Sequence, residues 1–384
     1  MIIEIRGVQF ENKGAQLMLH AVLQQLSDRL PTATVALRPN AGTTYRELCS
    51  VAALIKVPLR KQAVDLNPLS YSWPTWLDVA LQNFGVVAEG SVDAVLDASG
   101  FAYGDRWGSA ALDASTAELL RFKQHGKPYV FLPQAFGPFK TTSAAAREWA
   151  AALASSPLVA VRDRQSAASL RALMPSARNI HLYPDITVGL TVTPNNQGQQ
   201  CQLQRSEEKL ALLIPNVRLL EQLTKTTYLS ALTDIAAQLS AAGYRVQVLN
   251  HGGKEDAALC RDLCETTQLA ISTIIENQDP RILKAIIGSA SLVVSSRFHA
   301  CIAALSQGVP CYAIAWTHKY RELFESFGCG QNVMNATDLA GGTIDLRQRF
   351  SQSCAPDPTL LAATVQQRSA LKTLWDEVFR VLTA

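Results

Sequence analysis

One short stretch, Ser291–Ala303 (SLVVSSRFHACIA), places an arginine and a histidine two residues apart directly after an apolar run. The run reads as a buried strand that closes at Ser295 and Ser296, with Arg297, Phe298 and His299 at the mouth of the next helix. Either serine can cap that helix, and the first helical turn offers free N–H groups and the positive end of a dipole. A guanidinium beside an imidazole at such a terminus makes an anion site with a proton donor. Residues two apart diverge on a regular helix, so the two converge only if Arg297 still lies in the strand-to-helix turn. The same residues read equally as an arginine paired with a surface acid and a histidine filling a polar gap.

Two more strand ends carry cations. In Cys311–Arg321 (CYAIAWTHKYR) a buried strand gives way to Thr317, His318 and Lys319, one βα unit beyond Arg297. In Leu212–Arg218 (LLIPNVR) the strand is followed by Arg218. Cations beyond three strands of one sheet suit a small, strongly anionic ligand: arginine as a bidentate fork for carboxylate or phosphate, lysine as a point charge. The first half of the chain offers amides, aromatics and one acid. Asn12, Lys13 and Gly14 follow one strand; Gly100, Tyr103, Gly104, Asp105 and Trp107 follow another; Gln134, Gly137 and Pro138 follow a third. These are residue types that grip sugars, although glycine and proline in loops also mark ordinary turns. Asp163 is placed to cap a helix rather than to react.

The elements that must position these residues alternate in βαβ rhythm. Ile2–Arg6, Thr34–Leu37, Val92–Leu96, Tyr129–Leu132 and Leu158–Val161 read as strands, with helices over Gly14–Leu30, Ala110–His125, Thr142–Ala154 and Arg164–Leu173. Short strands that are apolar throughout belong to a parallel sheet buried on both faces. The polar stretch Thr191–Ser206 (TVTPNNQGQQCQLQRS) reads as a linker. Strands at Lys209–Ile214, Arg245–Leu249, Ser291–Val294 and Cys311–Ala315 then restart the pattern. We therefore expect an α/β chain of two doubly wound, Rossmann-like domains, 1–195 and 206–350, with a cleft between them. A C-terminal helix within 355–384 packs on a domain. Ligands of such sheets sit beyond the carboxyl ends of the strands. No GxGxxG, GxxxxGK or GxSxG pattern follows any strand, which removes the support for ordinary dinucleotide, P-loop and hydrolase readings.

Bulk properties agree with an enzyme of small molecules. The 384 residues are 48% hydrophobic and 17% charged, and the net charge of +3 gives no reason to invoke nucleic acid. Eight cysteines without a CxxC pair read as reduced, small core residues. The start, MIIEIRGVQF, lacks the basic and long apolar regions of a signal, and no run approaches 18 apolar residues. These features predict a cytoplasmic protein with peripheral membrane contact at most.

The ordered set NKGA, DASGFAYGD, LPQAFGPF, VRDRQS, PDIT, SSRFHA and GVPCYAIAWTHK, from Ile3 to Gly328, resembles the polysaccharide pyruvyl transferase family. The family's PQSxGPF stands here as PQAFGPF, its R-D-x-x-S as Arg162–Ser166 and its S-x-R-x-H as Ser295–His299. The chain departs in having Asn12-Lys13-Gly14-Ala15 where many members carry N-x-G-D, and Ala98-Ser99-Gly100 for a glycine triplet. The resemblance implies a glycosyltransferase-B-like fold without metal or cofactor. Phosphoenolpyruvate is then the co-substrate, and a sugar diol of a glycan or its lipid-linked precursor the acceptor. It implies Arg297 and His299 as the catalytic pair, with Arg218, Lys319 and Ser296 binding the donor in the second domain. Asn12, Lys13, Tyr103, Asp105 and Gln134 would bind the acceptor in the first. A nucleotide-sugar glycosyltransferase of the same architecture, or a non-catalytic glycan-binding protein, are the competing readings. The acceptor's identity and the oligomeric state are left open.

Overall fold

The computed structural model describes residues 1–40, 43–61, 64–140, 143–192, 209–267, 274–277, 279–340, 350 and 358–384. The chain forms two compact units, each built on a parallel sheet. The first unit comprises Met1–Glu11, Met18–Ile186 and Ala370–Ala384; the second comprises Asn12–Leu17 and Thr187–Ser369. The units are thus not two consecutive stretches of chain. The linker expected at Thr191–Ser206 lies outside the described residues from position 193 onward.

The first unit holds strands β1 (Ile2–Arg6), β2 (Thr34–Leu37), β3 (Leu54–Lys56), a small antiparallel pair β4 (Arg60–Lys61) and β5 (Val64–Asp65), then β6 (Val86–Val87), β7 (Ala94–Asp97), β8 (Tyr129–Gln134), β9 (Val159–Val161) and β10 (Ile180–Leu182). Its main sheet runs β10-β9-β8-β7-β1-β2-β3-β6, with parallel pairing throughout. Every residue of β7 and β8 is buried, as a strand covered on both faces must be. Trp149 from the helix Ala144–Leu153 fills the space over this sheet, against Tyr103, Phe131 and Phe136. Strands β3 and β6 carry too few residues for a pattern to declare them, and the segment around them is the part of the fold that periodicity missed.

The second unit is a six-stranded sheet of β11 (Lys209–Ile214), β12 (Tyr244–Leu249), β13 (Ile274–Ile275), β14 (Leu292–Ser295), β15 (Cys311–Ala315) and β16 (Val333–Asn335). The order is β13-β12-β11-β14-β15-β16. Strand order reverses between β11 and β14, which is where a doubly wound sheet opens a crevice at its carboxyl edge. The helix Lys225–Ala241 packs Tyr228, Leu232, Ile235 and Leu239 into the core. It ends at Ala242 because Gly243 follows with φ +83°, the left-handed position that stops a helix. The C-terminal helix, Pro358–Leu382, is shared: Thr364 and Arg368 bond the Leu305 and Ser306 carbonyls of the second unit, whereas Asp376 and Glu377 bond Arg29 and Tyr183 of the first.

The first unit buries a network of charge beside its sheet. Lys56 is fully buried, and its Nζ donates to Glu4 Oε2 at 2.5 Å and to Glu118 Oε1 at 3.0 Å. Arg6 and Arg38 also bond Glu118. Removing one partner of a buried pair strands the other charge, at a cost of roughly 3–5 kcal/mol. Lys56→Ala is therefore expected to lower the unfolding free energy by about that amount in urea titrations. A loss below about 1 kcal/mol would mean that water replaces the amine freely.

Candidate functional site

The catalytic candidates sit where β14 ends. The helix Phe298–Leu305 begins with Arg297 as its N-cap residue, in extended geometry (φ −101°, ψ 118°). Arg297 therefore lies in the turn and His299 in the first helical turn, the arrangement that convergence requires. Neither Ser295 nor Ser296 caps the helix, contrary to expectation. The Ser295 hydroxyl accepts from Arg297 N at 3.0 Å, which shapes the turn instead. Ser296 is fully buried and clamped. Its carbonyl accepts from Asn216 Nδ2 at 2.9 Å and from the Tyr320 hydroxyl at 2.5 Å, and its hydroxyl pairs with that of Tyr228 at 2.7 Å. Burial pushes both tyrosines' pKa values up, so they stay neutral. Ser296 thus pins the backbone from which Arg297 and His299 emerge.

Arg297 is anchored by an acid that sequence reasoning missed. Asp256, in the helix Lys254–Thr266, is fully buried. Its Oδ2 accepts from Arg297 Nε and also lies against Nη2, while its Oδ1 accepts from Val217 N at 3.1 Å. Gly252 lies against the pair, and a Cβ built there would overlap Asp256 Oδ2 and Arg297 Nη2. Gly14 does the same for the other member: a Cβ on it would overlap His299 Nδ1. Each member of the pair is therefore overlaid by a glycine.

Those two glycines share a local structure. Gly14 N donates to Asn12 Oδ1, and Gly252 N to Asn250 Oδ1, both at 3.0 Å. Asn12-Lys13-Gly14 and Asn250-His251-Gly252 are thus matching Asx turns, one beginning the helix Lys13–Arg29 and the other following β12. Their middle residues, Lys13 and His251, are buried. Burial and the nearby positive groups Arg297, His299 and Lys13 hold the His251 imidazole down at about 3.

The remaining expected site residues each have their own surroundings. Lys13, which the resemblance implies at an acceptor site in the first domain, belongs with the second unit and lies within the electrostatic reach of His251. Asn12 is exposed and shapes its turn. Arg218 stays at the surface, paired with Glu221 at 2.7 Å. Lys319 begins the helix Lys319–Ser326, beyond β15 and beside a cavity of about 460 Å³ lined in part by Trp316, His318, Glu322 and Asn335. In the first unit Tyr103 and Gln134 are buried residues. Tyr103 is stacked on Trp149 with its hydroxyl 2.5 Å from Asp97 Oδ2, and Gln134 Nε2 donates to Asp97 at 3.2 Å. Asp105 is half-buried and accepts from Lys140 N at 2.6 Å, joining two loops. Asp163 caps the helix Arg164–Leu173 through Ser166 N at 2.7 Å, as its position suggested.

The model of the family described as polysaccharide pyruvyl transferase matches residues 12–318, most of the chain, including the Asx turn at Asn12 and the Arg297–His299 pair. The chain belongs to the polysaccharide pyruvyl transferase family. A comparison with curated proteins returned no match. Among solved structures, the chain is similar to the UDP-GlcNAc 2-epimerase from Neisseria meningitidis bound to UDP-GlcNAc (12% identity, 99% of each chain, TM-score 0.59). It is also similar to the UDP-GlcNAc 2-epimerase from Methanocaldococcus jannaschii (9% identity, 97% of this chain and 99% of that one, TM-score 0.56). A third likeness is to the glycotransferase of kitacinnamycin (14% identity, 99% and 97%, TM-score 0.52). At these identities the likeness is one of fold, and the fold is that of glycosyltransferase-B enzymes and related epimerases. No helix among the described residues is long and apolar enough to cross a membrane.

Two outcomes follow for this pyruvyl transferase family member. Arg297→Ala leaves Asp256 buried without its cation, so it should cost roughly 3–5 kcal/mol of stability. Arg297→Ala/Asp256→Ala should recover a large part of that in denaturant titrations, because no stranded charge remains. The second concerns acid. His251 has a folded pKa of about 3 against an ordinary 6.5, so the unfolded chain takes a proton that the folded one refuses. Its contribution is complete above pH 6.5 and is lost as pH falls from there toward 3. His251→Gln should therefore make the fall of unfolding free energy with acid shallower by about one proton, or ~1.4 kcal/mol per pH unit, between pH 6 and 4. Superimposable pH profiles would contradict the buried, neutral imidazole.

Proposed function

We propose that this chain transfers the pyruvyl group of phosphoenolpyruvate to two hydroxyls of a sugar, forming a cyclic ketal and releasing phosphate. The observation that carries the reading is the Arg297–His299 pair, held at the carboxyl end of β14 in a chain of this family. Phosphoenolpyruvate brings a phosphate, a carboxylate and a methylene carbon that must be protonated. Arg297 is supported by Asp256 from one side and offers its remaining N–H groups to an anion. Lys13 adds charge in the same unit, and Lys319 remains a candidate beyond the next strand. His299 is the proposed acid, since imidazole titrates near neutral pH.

In this mechanism His299 gives its proton to the methylene carbon, which becomes a methyl group, and C2 takes oxocarbenium character. A sugar hydroxyl oxygen bonds to C2, and its proton returns to His299. The C2–O bond to phosphate then breaks with its electron pair leaving on phosphate. The second hydroxyl closes the ring and gives up its proton to the departing phosphate. One phosphoenolpyruvate and one diol yield one ketal and one phosphate, with no redox change. The acceptor is a glycan or its precursor, lipid-linked or free, and Asn12, exposed in the same unit as the pair, is a candidate for it. The charges come from side chains, so turnover should survive EDTA.

Incubating the protein with phosphoenolpyruvate and sugar glycosides, and following the product by mass spectrometry, tests the reading through the mass gained as a pyruvyl ketal. His299→Ala should lower kcat by about 10²–10⁴-fold while phosphoenolpyruvate still binds. Arg297→Lys should keep the fold yet bind the donor poorly, because an ammonium cannot reproduce the guanidinium fork. Stabilisation by a UDP-sugar and none by phosphoenolpyruvate would favour a nucleotide-sugar enzyme instead. Near-normal kcat in folded His299→Ala would refute the acid role.

A further inference from the structure

His251 is used by no step so far, yet it is placed like a working residue. It sits at the carboxyl end of β12, next to β11 in the sheet, and an Asx turn of the same form as the one around Lys13 holds its backbone. It is 3% exposed, and its Nε2 has no hydrogen-bond partner among the described residues. The ring's other nitrogen is turned to the residue's own backbone. An N–H given to a carbonyl fixes the tautomer, so Nε2 carries a lone pair and no proton. A buried polar atom left unmade costs about 1–3 kcal/mol, and the cations near this one are Lys13 and Arg297, with His299 also close.

Those surroundings narrow what satisfies Nε2. The phosphate and carboxylate oxygens of an anionic donor are hydrogen-bond acceptors and belong with the cations. A lone pair needs an N–H or O–H donor, and the donors that a sugar brings are its hydroxyls. Resting on the pyruvyl-transfer reading, we infer that His251 Nε2 accepts a hydrogen bond from a hydroxyl of the sugar acceptor and so orients that hydroxyl toward the donor bound at Arg297 and His299. Because burial and the positive neighbours hold its pKa near 3, His251 stays neutral through the reaction. It holds the hydroxyl and does not take its proton, which still goes to His299 or to phosphate. The two histidines thereby divide the work: one moves the proton, the other sets the angle of attack. Gly252, already required by the Asp256–Arg297 pair, fixes the backbone beside His251.

The test compares His251→Phe, which fills the space without a lone pair, with His251→Gln, whose side-chain carbonyl oxygen accepts a hydrogen bond. Phosphoenolpyruvate affinity is measured by calorimetry and transfer to a glycoside by steady-state kinetics, with melting temperature alongside. In His251→Phe the donor Kd should stay within about 3-fold while kcat/KM for the glycoside falls by roughly 10²-fold, as expected for a misplaced attacking group. His251→Gln should recover at least part of that loss. If both variants transfer as well as the wild type, or if donor affinity falls and glycoside kinetics do not, the assignment of His251 is wrong while pyruvyl transfer stands. Equal loss in both variants with a lowered melting temperature would mean a packing role and also overturn it. A wild-type protein that neither binds phosphoenolpyruvate nor forms the ketal would overturn the transfer reading itself, and this inference with it.

Discussion

The ion pair between Asp256 and Arg297 is the constraint around which the second unit's carboxyl edge is arranged. Asp256 has no exposure, and a carboxylate in such a place persists only if a cation and further donors meet it. Arg297 is that cation and Val217 N a further donor. Because Asp256 belongs to the helix after β12, Val217 to the segment after β11 and Arg297 to the turn after β14, the pair ties together three consecutive neighbours of the sheet at the point where strand order reverses. The catalytic candidate is thereby also a structural member. A lysine in its place would meet Asp256 but lose the fork that can serve the acid and a ligand at once.

Close packing around this pair explains residues that otherwise look like loop filler. Gly252 and Gly14 have no room for a side chain because Arg297 and His299 occupy it. An asparagine two residues earlier bonds each glycine N–H, so the turn is set by local hydrogen bonds before any long-range contact forms. The buried side chain between asparagine and glycine is then delivered inward: Lys13 in one turn, His251 in the other. The clamp on Ser296 by Asn216, Tyr228 and Tyr320 works at longer range to the same end, fixing the backbone from which Arg297 and His299 both emerge.

Much of this fold was legible in the sequence because long strands buried on both faces leave a strong pattern. Lys209–Ile214, Cys311–Ala315 and Arg164–Leu173 stand where the apolar runs placed them. The short strands β3 and β6 and the hairpin beside them have two or three residues each, below the length at which a period shows. Within the site, Arg297 and His299 were legible because their chemistry is unusual after an apolar strand. Asp256 was not: an acid in the first turn of a helix looks like an ordinary partner for the helix dipole, and only the fold reveals that the guanidinium forty-one positions later needs it. His251 stood in Asn-His-Gly-Gly after a strand, and its likeness to Asn12-Lys13-Gly14 was the one signal available. Tyr103 and Gln134 drew notice because polar tips after strands suggest ligands; only the fold shows that both also bond Asp97, which is fully buried.

His251 and His299 of the second unit sit in opposite surroundings. His299 lies on a helix start, among N–H groups and beside a glycine that leaves its ring room. His251 is enclosed, and each positive neighbour makes a further charge on it more costly. Two cationic imidazoles in close company disfavour each other, because each depresses the other. Burying one removes the conflict: the enclosed ring forgoes its proton and keeps a lone pair. In the proposed mechanism the two histidines therefore meet different partners, an anion at His299 and a hydroxyl at His251.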